Sequence, residues 1–224
     1  MRETSKSKKT WGPDALEWKV LRGTGIDIGA GSDPVFPGVR VFDMADGDAN
    51  EASKHVHDRF DYVYASHCLE HMHDPRKTAH DWWKLVKPGG HLYVTVPDED
   101  LYEQGVFPSR FNPDHKATFT VSKTHSWSPL SVNVLDLARS LPGGEVVRVA
   151  LQDLGYDRRL ATFGPRRRPG ALMRLVIRVA DKLARMRGRR SMALQGWLLR
   201  YRAIDQTREP DVLCQIQCIV KKLP

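Results

Sequence analysis

A short apolar strand that breaks into a glycine turn constrains this chain more than any other stretch. Residues Gly25–Gly31 read GIDIGAG, with an acid inside the strand and two glycines two positions apart at its end. Glycine has no Cβ and tolerates positive φ, so the backbone of such a turn can lie close to a ligand. Junctions of this kind bind nucleotide-like ligands in α/β folds. The segment therefore predicts the first strand of an α/β sheet.

The turn lacks the third glycine of a dinucleotide-binding fingerprint. That fingerprint reads Gly-x-Gly-x-x-Gly, and Pro34 stands at its last position here. A second strand is predicted over Val39–Asp43, which alternates and ends in an acid. Such an acid can accept hydrogen bonds from both hydroxyls of a ribose, and a helix or turn cap is the alternative role for Asp43. The turn therefore does not predict an NAD site.

Strands and helices alternate along the rest of the chain. The predicted strands are Phe60–Ser66, His91–Val96, Glu145–Leu151 and Val212–Val220. The predicted helices include Asp14–Leu21, Asp74–Val86 and Ser128–Leu141. Residues 1–13 are predicted to be a disordered basic lead-in, and residues 97–128 a long loop that is either functional or disordered. Alternation of this kind favours an α/β fold.

Cysteine usage and hydropathy indicate the compartment. The three cysteines form no CxxC pair and no metal-ligand spacing, which fits a reduced, cytoplasmic compartment. We expect no signal peptide in the polar, basic first residues. No apolar run approaches the ~20 residues of a membrane span.

Five segments occur in an order and at a spacing that are hard to obtain by chance. They are Asp27–Gly31, the acid Asp43, the loop Gly47–Ala49, the run from Phe60 to His71, and the turn Leu85–Gly90. Together they resemble the class I S-adenosylmethionine-dependent methyltransferases over most of residues 23–154. The resemblance implies a Rossmann-like, doubly wound and mostly parallel sheet of seven strands, or six, whose last strand is antiparallel.

The same resemblance implies a binding site for S-adenosyl-L-methionine, with S-adenosyl-L-homocysteine as the product. The implied cofactor-binding residues are Asp27, Gly29, Gly31, Asp43, Met44, Asp48, Ala49, Ser66 and His67. The glycine turn would pass the methionine part of the cofactor, Asp43 would hold the ribose, and Asp48 and Ala49 would meet the adenine edge. Asp46 and Asn50 are alternatives to Asp48.

A histidine after the predicted strand His91–Val96 is the first candidate for a general base. His115 lies in Phe111–Thr120, a segment that resembles one in bacterial methyltransferases of polysaccharide and glycolipid synthesis, which methylate sugar hydroxyls. Histidine titrates near neutrality, which suits removal of a hydroxyl proton. His71 is the second candidate and His125 the third. A loop histidine bonded to backbone is the alternative for His115, and a role in ordering the next helix is the alternative for His71.

Acids near this histidine raise the question of a metal ion. Asp98, Asp100, Asp114 and His115 offer oxygen and nitrogen ligands. Their spacing is not that of a tight ligand set, so the sequence predicts no metal site.

An arginine-rich stretch separates the last two predicted strands. The predicted organisation is a lead-in with a short helix (1–22), a cofactor-binding domain (23–156 and 209–224) and a basic helical insertion (157–208). Apolar residues on one helical face are flanked by basic ones, and a second helix is predicted over Ala193–Arg202. The apolar residues are Leu172, Leu175, Val176, Val179 and Leu183.

The sequence allows two interpretations of the insertion. Its residues 166–190 could form a lid that meets a membrane or another anionic surface, which would place the protein at the inner membrane face. The alternative is a helical pair that packs on the core with its arginines in solvent, or that forms a homodimer contact. Nucleic acid is not favoured, because no stacking aromatics or RNA-binding motif accompany the arginines.

The function that the resemblance implies is O-methylation of a hydroxyl. The acceptor would be a sugar in a glycan, a glycolipid or a glycosylated metabolite. A methyltransferase for small-molecule natural products, with a more apolar pocket, is the first alternative. An RNA methyltransferase is supported only by the net charge of +8. A non-catalytic scaffold that binds the cofactor is the last alternative, and the intact glycine turn and acids argue against it.

Overall fold

The computed structural model describes residues 3–161, 164–165, 170–186 and 204–224. Its helices are α1 (Glu3–Lys8), α2 (Leu16–Val20), α3 (Ala52–His55), α4 (Pro75–Lys84), α5 (Val134–Ser140) and α6 (Ala171–Met186). Its strands are β1 (Gly25–Ile28), β2 (Arg40–Phe42), β3 (Phe60–Ser66), β4 (Val86–Pro97), β5 (Thr118–Thr120), β6 (Ser131–Asn133), β7 (Gly144–Gln152) and β8 (Gln215–Lys222).

Six strands form one mixed sheet in the order β2-β1-β3-β4-β8-β7. Strands β1 to β4 pair in parallel, and β8 pairs antiparallel with both β4 and β7. The prediction of a Rossmann-like, mostly parallel sheet with an antiparallel last strand is confirmed, with six strands in the main sheet. Strands β5 and β6 form a separate two-stranded parallel sheet that the sequence analysis did not predict.

The core lies on both faces of the central strands. Ile26, Ile28, Val63 and Ala65 belong to one buried cluster, and Tyr62 and Tyr64, at the alternate positions of β3, belong to a second cluster on the other face. Parallel strands that are covered on both faces read as continuous apolar runs, so β1 and β3 have the bounds that the sequence predicts. Helix α4 covers one face, and its Trp82 is fully buried in the main core cluster.

The polar start of the chain is ordered. The prediction of a disordered lead-in over residues 1–13 is wrong for residues 3–13, because polar groups of α1 bond to the loop after β1 and to β8. The Ser5 N–H donates to Asp33 Oδ2 at 2.9 Å, and Gln215 Nε2 donates to Ser7 Oγ at 2.7 Å. Because α1 is held in place by hydrogen bonds to distant segments, its sequence lacks the regular spacing of apolar residues that predicts a helix.

Two short elements interrupt the long loop that was predicted over residues 97–128, whereas residues 104–117 and 121–130 contain no helix or strand. A π-helical turn, Glu99–Glu103, follows β4, and β5 comes after it. Glu99 is fully buried and accepts hydrogen bonds from Thr118 and Lys123. A segment whose buried side chains are polar resembles a solvent-exposed loop in the sequence, which is why these two short elements were not predicted.

Two helix starts also differ from the prediction. Helix α5 begins after the N-cap Asn133, whose side chain accepts from the Asp136 N–H, rather than at Ser128. Helix α2 begins at Leu16 after Ala15, so Asp14 is not its cap. The predicted cap of α4 is confirmed, since Asp74 accepts from the backbone N–H groups of the first turn.

Helix α6 carries several exposed apolar side chains. The predicted helix is confirmed, and Leu172, Leu175, Val176 and Val179 are exposed on it. The second predicted helix and the arginines at 166–168, 187, 189 and 190 lie outside the described residues, and the separate insertion stays a prediction. Within the described part of the chain, no helix has the length and apolar character needed to cross a membrane.

Candidate functional site

A cavity of about 400 Å³ opens at the carboxyl ends of β1 and β3. Among the residues that line it are Gly29 and Gly31 after β1, Ser66 and His67 after β3, and Glu70, His71, Asn112 and His115. The volume lies in the range of small-molecule sites. Four of the predicted cofactor residues and the two first-ranked candidate bases therefore surround one space.

Helix α1 covers one side of the cavity. Glu3 and Thr4 line it together with Thr207 from the segment before β8. Lys6 Nζ donates to the Thr207 carbonyl, which ties the two covering segments to each other. Neither segment was expected at the site, because nothing in their sequences marks them as ligand-binding.

A side chain would have different consequences at the two glycines of the turn, Gly29 and Gly31. Gly29 has φ +76°, and a Cβ there would lie 2.5 Å from Cys68 Sγ. Gly31 has φ +55°, and a Cβ there would meet no heavy atom of the described structure within 4 Å. Gly29 is therefore fixed by packing, whereas Gly31 keeps the cavity surface open to a ligand.

Asp27 carries a buried carboxylate beneath the turn. It is 1% exposed, and its Oδ2 accepts from the Val35 N–H at 2.7 Å. Its Oδ1 has no hydrogen-bond partner in the part of the chain that the structure describes. Burial, reinforced by the charges of Asp43 and Asp33, raises the pKa of Asp27 to about 7 even though the Val35 N–H lowers it.

The raised pKa of Asp27 predicts that stability falls with pH. The folded protein keeps this proton up to about pH 7, whereas the unfolded chain releases it near 3.8. The contribution is complete below the unfolded pKa and is lost as pH rises through the folded pKa, at up to ~1.4 kcal/mol per pH unit. Asp27→Asn cannot titrate, so its free energy of unfolding relative to wild type should rise by about 2 kcal/mol between pH 5 and 7.

Urea denaturation of both proteins across this pH range measures the difference. Asp46→Asn is a matched control, because Asp46 is an exposed carboxylate near the same strand ends. A wild-type curve parallel to that of Asp27→Asn at every pH would contradict the prediction.

The remaining predicted cofactor residues lie at the edge of the cavity or outside it. The Asp43 carboxylate accepts from the Gly31 N–H at 3.1 Å. Asp48 caps the 3₁₀ turn Ala49–Glu51 by accepting from the Asn50 N–H. Met44 is 97% exposed. Asp43 thus adjoins the glycine turn, but it is not among the residues that line the cavity, and neither are Asp27, Met44, Asp48 and Ala49.

His67 and Glu70 form a buried ion pair at the end of β3. His67 adopts φ +52°, and its Nδ1 lies 3.4 Å from Glu70 Oε1 while its Nε2 lies 2.9 Å from Gln215 Oε1. Burial disfavours the charged imidazole, but the Glu70 carboxylate outweighs it and raises the pKa of His67 to about 9. Burial also opposes ionisation of Glu70, and His67 nevertheless holds the pKa of Glu70 below its usual range.

Two further histidines are each held by a carboxylate. His115 Nδ1 lies 2.7 Å from Glu103 Oε1, and both side chains are buried. His71 Nδ1 lies 2.8 Å from Asp114 Oδ2. The two imidazole rings are 5.0 Å apart. With Nδ1 engaged in each ring, Nε2 is the nitrogen left to act on a ligand.

The third candidate base lies elsewhere. His125 is exposed and its Nδ1 contacts Thr124 Oγ1 at 3.1 Å, and it does not line the cavity. The acids weighed as metal ligands are also engaged: Asp98 accepts from two backbone N–H groups, and Asp100 pairs with Lys123.

Sequence reasoning missed Glu103 and the role of Glu70. Glu103 sits in the π-helical turn, twelve residues before His115, and no spacing rule connects them. Glu70 stands within the segment Ser66–His71 that carried part of the resemblance, so its position was a usable signal.

A match to a known protein family covers most of the segments that line the cavity. A family described as a methyltransferase domain matches residues 6–162. The chain belongs to this methyltransferase family. The protein is accordingly an enzyme of the methyltransferase class that uses S-adenosylmethionine. No curated protein sequence matches the chain.

Solved structures with a similar fold include other methyltransferases. A SAM-dependent methyltransferase from Archaeoglobus fulgidus is 17% identical, with 99% of this chain and 95% of that chain covered and a TM-score of 0.49. A SAM-dependent methyltransferase from Thermotoga maritima is 19% identical, with 70% and 75% covered and a TM-score of 0.44. Neither likeness identifies the acceptor of this methyltransferase.

The residues present fit the cofactor of the family. Gly31 leaves its side of the cavity open to a ligand, and three acidic residues, Glu3, Asp33 and Glu70, line the same cavity. An open turn and an acidic lining suit a ligand that carries positive charge, as this cofactor does.

Proposed function

We propose that this methyltransferase methylates a hydroxyl group of a sugar, in a glycan, a glycolipid or a glycosylated metabolite. The buried pair of Glu103 and His115 carries the proposal, because it places an oriented imidazole in the same cavity as the glycine turn. A hydroxyl is a weak nucleophile until its proton is removed, and a held histidine suits that task at neutral pH.

S-adenosylmethionine supplies an electrophilic methyl group on a sulfonium, so the chain's own task is to align the acceptor and accept its proton. In the proposed mechanism, His115 Nε2 would accept the hydroxyl proton while the methyl group passes from the sulfonium sulfur, whose bond to it breaks, to the acceptor oxygen. Glu103 accepts from His115 Nδ1–H, which fixes the tautomer and stabilises the imidazolium that forms. His71, held by Asp114, is the second candidate for the proton acceptor.

We assign the cofactor to the strand ends by the same logic. Asp27, Gly29 and Gly31 would hold its methionine part, with Ser66 and His67 beside it. The ribose would lie on Asp43 next to Met44, and the adenine would reach Asp48 and Ala49 at the edge of the cavity. The contact between the Gly31 N–H and Asp43 supports this path, because it brings the ribose candidate to the turn.

The polarity of the cavity supports a sugar over an apolar natural product. The side chains that surround His115 in the cavity include Glu70, His71 and Asn112. Such donors and acceptors match a polyol, whereas an apolar metabolite would leave them unpaired at a cost of about 1–3 kcal/mol each. The resemblance of Phe111–Thr120 to segments of sugar methyltransferases points the same way.

Labelled cofactor tests the proposal. The purified enzyme is incubated with S-adenosylmethionine carrying a labelled methyl group and with separated polysaccharide, glycolipid and small-molecule fractions of producer cells. We expect label in a product that releases an O-methyl sugar on acid hydrolysis. Label on nitrogen or on an aglycone would contradict the proposed acceptor, and label in RNA would favour the nucleic-acid alternative.

We also propose that α6 brings the cytoplasmic enzyme to an anionic membrane surface. Leu172, Leu175 and Val179 are exposed on α6, and the sequence places Arg174, Arg178, Lys182 and Arg185 beside them. Apolar residues flanked by cations are what binding at a lipid interface requires. This contact suits a glycolipid acceptor in particular.

Vesicle sedimentation tests the α6 proposal. Leu175→Glu should weaken binding to phosphatidylglycerol vesicles at least tenfold, because one leucine contributes roughly 1.5–3 kcal/mol when buried. Leu130→Glu is the matched control, since Leu130 is equally exposed at 55% but lies away from α6. Equal binding by the two variants would contradict the proposal. A shift from dimer to monomer in Leu175→Glu would instead favour a homodimer contact.

A further inference from the structure

Three side chains of the cavity converge on one point. Glu70, His71 and His115 each offer one potential ligand atom, and these atoms all lie within 4.8 Å of one another. Glu70 and His115 are buried, and His71 is half-buried. The residues come from two segments separated by more than forty positions, which explains why ligand spacing along the sequence does not reveal them.

Each histidine of this group is oriented as a metal ligand commonly is. Glu103 holds Nδ1 of His115 at 2.7 Å, and Asp114 holds Nδ1 of His71 at 2.8 Å. A carboxylate on the far nitrogen fixes the tautomer and the ring and makes the near nitrogen a better donor. Both Nε2 atoms are thereby prepared to bind the same ligand.

The carboxylate of Glu70 has one oxygen that could bind a metal ion. Glu70 is 1% exposed, and its Oε2 has no hydrogen-bond partner among the residues that the structure describes. An unpaired carboxylate oxygen in a buried position is costly. A cation between Glu70 and the two imidazoles would satisfy this oxygen.

We propose that Glu70, His71 and His115 bind one divalent transition-metal ion of the Zn²⁺ or Co²⁺ type. Two imidazoles and one carboxylate suit these ions, whereas Mg²⁺ and Ca²⁺ prefer oxygen ligands throughout. Bonds of about 2.1 Å place tetrahedral ligands roughly 3.4 Å apart, so the group needs only a modest contraction. The cavity leaves a fourth position open, as in sites that bind water or substrate.

The proposed metal ion and the hydroxyl proton of the acceptor would compete for the same atom of His115. His115 Nε2 can hold either the ion or the hydroxyl proton, but not both. Binding of the ion is independent of the proposed function, and its effect on turnover depends on it. We therefore expect Zn²⁺ to inhibit methyl transfer in proportion to its occupancy of the site.

Calorimetric titration of Zn²⁺ into the full-length, metal-free protein, without cofactor or acceptor, tests the site. We expect one ion per chain. His71→Ala and Glu70→Gln should each weaken binding at least tenfold, while His125→Ala, at an exposed histidine outside the cavity, should bind as wild type does. His71 is only half-buried, so His71→Ala can be studied even where a substitution at Glu70 reduces stability.

Co²⁺ gives a second, spectroscopic readout. The Co²⁺ protein should show the intense visible absorption of a low-coordinate site, and His71→Ala should lose it. Zn²⁺ binding that is unchanged in His71→Ala and Glu70→Gln, or Mg²⁺ binding of equal affinity, would overturn the inference. Tight Zn²⁺ binding without inhibition would instead contradict His115 as the base and leave the metal site standing.

Discussion

Replacing His115 with alanine is expected to lower kcat about 10²- to 10⁴-fold, which is the usual contribution of a general base. The affinity for S-adenosylmethionine should stay within a few-fold of wild type, because the cofactor is assigned to the glycine turn and strand ends rather than to this histidine. Single-turnover transfer of a labelled methyl group measures the first quantity, and calorimetry measures the second.

Two variants sharpen this experiment. Glu103→Gln keeps the size of the side chain that holds His115 but removes its charge, so it should lower kcat by less than His115→Ala does. His125→Ala, at an exposed histidine bonded to Thr124, should keep wild-type turnover. Because His115 is buried, thermal unfolding of each variant must accompany the assay. Full turnover in a folded His115→Ala protein would rule out the assigned base.

Gly29→Ala is expected to destabilise the protein by about 2–5 kcal/mol. The positive φ of +76° costs a residue with a side chain roughly 1–2 kcal/mol. The new Cβ would also lie 2.5 Å from Cys68 Sγ and 2.8 Å from Cys68 Cβ, and overpacking of this kind costs roughly 1–3 kcal/mol. Chemical denaturation of the protein without cofactor measures the sum.

Comparing Gly31→Ala with Gly29→Ala distinguishes an effect on packing from an effect on ligand binding. Gly31→Ala meets no heavy atom within 4 Å, so it should lose only the ~1–2 kcal/mol of its backbone conformation. Its Cβ would narrow the cavity, and cofactor affinity should fall. Adding Cys68→Gly to Gly29→Ala should recover part of the lost stability. Equal unfolding free energies for the two alanine variants would show that the Cys68 contact does not matter.

The central sheet could be predicted from the sequence because its strands are apolar and buried on both faces. Strands β1 and β3 have their predicted bounds, and the capped start of α4 was also correct. The elements that escaped prediction are stabilised by polar contacts between distant segments. Helix α1 and the turn around Glu99 are the main cases, since their partners are known only once the chain is folded.

The candidate site also contains some residues that the sequence could predict and others that it could not. The glycine turn and the end of β3 could be named from one continuous motif each, and both line the cavity. The partner of His115 could not, because Glu103 reaches it through a π-helical turn that no pattern predicts. Glu70 shows the limit of motif reading: its position was part of a recognised segment, but its unpaired oxygen is visible only in three dimensions.

The position of α1 decides how the protein should be handled in the laboratory. Glu3 and Thr4 border the cavity, so a purification tag placed ahead of them would emerge at its mouth and could compete with an acceptor for space. Strand β8 is antiparallel to β4: Gln215 pairs with Pro97 at the carboxyl end of β4, and Lys221 pairs with His91 six residues before it. Leu223 and Pro224 therefore follow β8 at the end of the strands opposite the cavity, and a tag fused there leaves the mouth clear for assays and crystallisation.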